Sequence, residues 1–144
     1  MIQFPLKFTV FATAPSGMGN PWTCQADKLP PIPVAIPPEF QGPGGGYSPE
    51  DLYGLALLNC LLATLKVYLE KGAITYEGIE GKAVVTADKL ASEPGFLMSQ
   101  VEFSLTIRKP ADPEKAKKIA DVAIRDSGIC NSVKSGKTYH IAIA

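Results

Sequence analysis

One segment of this sequence has almost no polar side, and it constrains the fold more than any other. Ser48-Pro49-Glu50-Asp51 reads as a helix start: a serine N-cap, a proline where the missing N–H costs nothing, and two acids near the positive end of the helix dipole. From Leu52 through Leu69 the residues are apolar around nearly the whole circumference, with Asn59 and Thr64 the main exceptions, until Glu70-Lys71-Gly72 brings charge and a terminal glycine. Its longest uncharged stretch, Leu52 to Leu65, is 14 residues, against the roughly 20 a membrane-spanning helix needs, so the segment is expected to be a core helix. A helix apolar on every side must be covered on every side. A chain of 144 residues with 46% hydrophobic content can build one sizeable core, but two or three layers do not surround a helix completely. A second copy is therefore expected to supply part of the wrapping, which predicts a homodimer.

Fourteen basic side chains against fourteen acidic ones leave no net charge, so neither a nucleic-acid footprint nor a polybasic membrane anchor is indicated, and substrates are expected to carry little charge. The start, Met1-Ile2-Gln3-Phe4-Pro5, lacks the basic stretch and apolar run of a secretory signal, and a cytoplasmic protein is expected. Cys24, Cys60 and Cys130 are odd in number and widely spaced, which fits free or redox-active thiols rather than a disulfide framework or a zinc site.

Residues 1–47 carry only Lys7, Asp27, Lys28 and Glu39 as charges and hold nine of the thirteen prolines. Ile2, Phe4, Leu6, Phe8 and Val10 alternate with Gln3, Pro5, Lys7 and Thr9, predicting an edge strand with one buried face, and shorter strands are expected around Trp22–Ala26 and residues 32–36. Gln41 to Tyr47 is glycine-rich and predicts a loop. Residues 74–87 and 96–108 alternate as two long antiparallel strands. Asp112-Pro113-Glu114 opens a second helix with Ala116, Ile119, Ala120 and Ala123 at helical spacing. A short helix over 129–134 follows the Ser127-Gly128 break, and Tyr139, Ile141 and Ile143 mark a last strand. The order β-β-β-α-β-β-α-α-β places the chain, residues 1–144 as one domain, in the α+β class.

Cys60 sits mid-helix among leucines, where a buried cysteine behaves as an inert small hydrophobe. Cys130 stands near the start of the short helix, where unsatisfied N–H groups favour a thiolate, and on local sequence it is the better candidate for reactivity. Cys24, beside Trp22 in an expected edge region, reads as structural. The glycine loop lacks the Gly-Lys-Ser/Thr ending of a phosphate-binding loop. His140 is the sole histidine and has neither metal-ligand spacing nor nameable triad partners. Lys115, Lys117 and Lys118 read as a solvated helix face.

Two separated segments carry a resemblance. Pro37 to Leu52, reading PPEFQGPGGGYSPEDL, with Cys60 ten residues after Glu50, resembles the OsmC and organic hydroperoxide resistance (Ohr) family, and Ala123 to Lys134 is similar to the region of that family's second cysteine. The resemblance implies an OsmC-like fold in which antiparallel sheets wrap central helices in an intertwined homodimer. It also implies a thiol-dependent peroxidase that reduces organic hydroperoxides under oxidative stress. Cys60 would be the peroxidatic thiolate, a second cysteine the resolver, a dithiol the reductant, and no cofactor or metal would be required.

Two departures bear on this. Ohr members set an N-terminal arginine beside the thiolate, with a helix-entry glutamate orienting it; Glu50 matches the glutamate, but the arginines here are Arg108 and Arg125. Aligned without a gap, the family's second cysteine falls on Ser127, and Cys130 lies three residues on, about 4.5 Å along a helix. Glu50 and Cys60, ten residues apart on one helix, stand about 15 Å from each other, so they share a site only through a partner chain. Otherwise Glu50 simply favours the helix start. Two readings stand: a peroxidase with Cys60, Cys130 and Glu50 as site residues, or the same fold without fast peroxide chemistry, binding a small apolar or thiol-reactive ligand in the dimer pocket.

Overall fold

In the computed structural model, which describes residues 1–91 and 94–144, the chain forms two compact units, Met1–Leu52 and Tyr53–Ala144. The first holds a three-stranded antiparallel sheet in the order β1 (Val10–Thr13), β2 (Trp22–Ala26), β3 (Ile32–Val34). A single 3-10 turn at Pro38–Phe40 and the glycine-rich loop follow. The loop folds back tightly: a Cβ on Gly42 would stand 2.1 Å from the Ile36 carbonyl oxygen, so no other residue fits there.

The expected strand over residues 2–10 is not formed. Regular pairing begins at Val10, opposite Ala26, while Ile2, Phe4, Leu6 and Phe8 lie outside any strand and are between 52% and 87% exposed. Alternation alone does not make a strand, because its hydrogen bonds must come from a neighbour, and none of the described strands pairs with this stretch. Cys24 is also placed differently from the expected edge. It lies in the central strand β2, flanked by Ala12 and Ile32.

The long helix α1 runs Pro49–Lys71. It opens with a reciprocal cap in which the Asp51 amide donates to Ser48 Oγ and the Ser48 amide donates to Asp51 Oδ2, both at 2.9 Å. Its 23 residues are long and apolar enough to cross a membrane, beyond what the 14-residue stretch implied. One side is committed to a core instead: Leu57, Leu61, Leu65 and Leu69 are sealed from solvent.

In the second unit that stripe packs with Val101, Phe103, Leu105 and Ile107 of β5 (Phe96–Arg108) and with Ala116, Ala120 and Ala123 of α2 (Pro113–Asp126). β5 is the middle strand of the second sheet, antiparallel to β4 (Gly78–Lys89) and parallel to β6 (Gly136–Ile143). Its inward residues alternate with outward ones, as its period of two requires. Asp112 caps α2 by accepting from the Lys115 amide at 3.0 Å, and its buried alanines join the core. The short helix α3 spans Gly128–Asn131, earlier and shorter than residues 129–134.

Candidate functional site

Leu57, Cys60, Thr64 and Tyr68 recur at spacings of three and four, which lines them along one side of α1. The α2–α3 junction is stitched to this line. Tyr68 Oη donates to Asp126 Oδ2 at 2.7 Å, Ser127 Oγ and the Ile129 amide each donate to Cys60 Sγ at 3.3 Å, and Cys130 Sγ donates to the Leu57 carbonyl at 3.4 Å. Ser127 ends α2 and begins α3 with an extended backbone, φ −69° and ψ 104°. That break turns the chain and releases the amides that follow toward α1 rather than into a helix.

The electrostatics reverse the local expectation for the two thiols. Burial alone would raise the Cys60 thiol. Hydrogen bonds from the Ser127 hydroxyl and the Ile129 amide, with the Cys130 amide beside them, outweigh burial and hold the thiol below its ordinary value. Cys60 is half-buried. Cys130 is fully buried. Burial pushes its thiol up, and negative charge on the neighbouring Cys60 adds to this. The amides at the start of α3 thus serve Cys60, across the fold, instead of Cys130 on their own segment.

Glu50 lies in the first turn of α1, described with the N-terminal unit. Its Oε2 is buried without a hydrogen-bond partner among the described residues, a costly state for a carboxylate oxygen that calls for a donor. His140 Nε2 sits 3.0 Å from Glu102 Oε1 on the exposed side of the second sheet. The tertiary structure adds residues not singled out as site residues from the sequence: Ser127 as a hydrogen-bond donor, Thr64, and the Tyr68–Asp126 pair. The Ser127-Gly128 break was the visible signal, but what it faces is a long-range matter, 67 residues away in the chain.

A protein-family model described as OsmC-like protein matches residues 42–141. No curated protein matches the sequence. Among solved structures, an OsmC-like protein of unknown function from Vibrio cholerae is similar over 95% of this chain and 99% of its own, with a TM-score of 0.82 at 16% identity. An organic hydroperoxide resistance protein from Elizabethkingia anophelis matches over 99% of each chain, with a TM-score of 0.76 at 16% identity. The organic hydroperoxide resistance protein OhrB of Bacillus subtilis matches over 96% of this chain and 98% of its own, with a TM-score of 0.64 at 19% identity. At these identities the likeness is one of fold.

Proposed function

The chain belongs to the OsmC-like protein family, and from that membership we propose that it is a cytoplasmic, homodimeric thiol peroxidase that reduces organic hydroperoxides, with Cys60 as the attacking thiolate. The observation that carries this reading is the half-buried Cys60 sulfur, which receives the Ser127 hydroxyl and the Ile129 amide of the α2–α3 junction. A thiolate is the nucleophilic form, and hydrogen bonds here do the work that a cation would otherwise do.

In the proposed cycle the Cys60 thiolate attacks the terminal oxygen of the hydroperoxide. An S–O bond forms, the O–O bond breaks, and the alkoxide takes up a proton and leaves as the alcohol. The sulfur is oxidised to a sulfenic acid. The Cys130 thiol then displaces water from that sulfur to form a disulfide, and an external dithiol restores both thiols by exchange, leaving as its own disulfide. The hydrogen bonds from Cys130 Sγ to the Leu57 carbonyl and from the adjoining Ile129 amide to Cys60 Sγ, which hold Cys130 against the same stretch of α1, support this assignment. Glu50 is assigned to the site through its unpartnered oxygen, with a second copy bringing its own Glu50 near the thiol and a donor group satisfying it.

The test is to treat the reduced protein with one equivalent of cumene hydroperoxide and map the cysteines by mass spectrometry. A disulfide between Cys60 and Cys130 within seconds is expected. Cys60→Ser should abolish turnover, and Cys130→Ser should trap a sulfenic acid. Cys60 left unmodified after minutes overturns the peroxidase and leaves a binding protein of the same fold.

A further inference from the structure

Ser127 is sealed from solvent, and a buried hydroxyl must place its proton. It places that proton on Cys60 Sγ at 3.3 Å. The Ile129 amide, which can only donate, meets the same sulfur at the same distance, so the sulfur is an acceptor from two sides. The backbone around Ser127 is also held in place. The Asn131 amide donates to its carbonyl at 2.9 Å, Asn131 Nδ2 donates to the Arg125 carbonyl at 2.9 Å, and Ser132 Oγ donates to the Gly128 carbonyl at 2.7 Å. Tyr68 holds the preceding residue, Asp126, to α1.

We propose that Ser127 is a positioning residue for Cys60, its buried hydroxyl orienting the sulfur and stabilising its anionic form from within the α2–α3 junction. The inference rests on the reading of Cys60 as the nucleophile and deepens it. At the position where the resemblance aligns a second thiol, this chain carries a group that cannot form a disulfide but can donate a hydrogen bond. The junction thereby activates the Cys60 thiol from position 127 and leaves any resolving role to a different residue. Negative charge on the sulfur is favoured because both nearest donors point at it, and loss of one donor returns part of the desolvation cost.

The test uses alkylation, which needs no peroxide. Reduced wild type, Ser127→Ala and Ser127→Cys are treated with iodoacetamide across pH, and the rate at Cys60 is followed by peptide mass spectrometry. Wild-type Cys60 should react with a midpoint below that of a free cysteine. Ser127→Ala should move the midpoint upward by about one pH unit, a roughly tenfold slower reaction at pH below both midpoints, with circular dichroism unchanged. Ser127→Cys, oxidised with diamide, should yield a disulfide between positions 60 and 127, which reports the contact even if the alanine variant does not fold. A wild-type midpoint at or above that of free cysteine, coincident midpoints for wild type and Ser127→Ala, or no disulfide in Ser127→Cys would each overturn the proposal. Wild-type turnover of hydroperoxide together with coincident midpoints defeats only the role of Ser127. A shifted midpoint without turnover defeats only the peroxidase reading.

Discussion

Two cysteines of the same chemical type end in opposite states because of who faces them. Cys130 is buried with its S–H directed at the Leu57 carbonyl, whereas Cys60 receives the donors of the α2–α3 junction. At pH 8 iodoacetamide should therefore label Cys60 and spare Cys130 until denaturant is added, which peptide mapping checks directly. Lowering the pH through the Cys60 midpoint should suppress its labelling, since protonation removes the nucleophile, and the fall should occur at a lower pH than for a free thiol.

The end of α1 holds a second residue-scale correction. Gly72 is not the left-handed residue there; Ala73 is, with φ 54°. The Ala73 amide reaches the Glu70 carbonyl and the Ile74 amide the Leu69 carbonyl, both at 3.0 Å, which closes a Schellman motif one residue later. Gly72 has another duty: a Cβ there would lie 2.7 Å from Ile119 Cδ1, so its absence lets α2 approach. Ala73→Gly should relieve the left-handed strain and raise stability by about 1 kcal/mol, read from the urea midpoint, and Gly72→Ala should lower it.

At the scale of elements, the helices were legible because their signals are local. Ser48 and Asp51 are three residues apart and so are Asp112 and Lys115, and each pair makes the cap its spacing implies. Ser48→Ala should cost about 1 kcal/mol through loss of its side-chain cap. Leu61→Ala, in the sealed stripe of α1, should cost about 2–5 kcal/mol, and thermal melts order the two. The strands were legible in kind but not always in extent. β4 begins at Gly78 rather than near residue 74, and β1 begins at Val10, because a strand extends only as far as its partner does.

For the whole molecule, apolar surface remains uncovered in one chain. Ile2, Phe4 and Phe8 are exposed at 71%, 78% and 87%, and on α1 Leu55 and Val67 are exposed at 40% and 49%. A monomer in water rarely keeps so much greasy surface on an alternating segment and a central helix. Sedimentation equilibrium should return twice the chain mass. Phe8→Glu combined with Leu55→Glu should shift the protein toward the monomer and lower its melting temperature together; a wild type that sediments as a monomer would remove the dimer from the proposed cycle.

By itself the amino-acid order determined the sequence of elements, the helix starts and the apolar character of α1, since each depends on neighbours within a turn or two of backbone. Only the tertiary structure decided which sulfur receives the donors. Cys60 and Ser127 are 67 positions apart, and whether a thiol is buried and neutral or solvated by hydrogen bonds depends on groups that folding alone brings within reach.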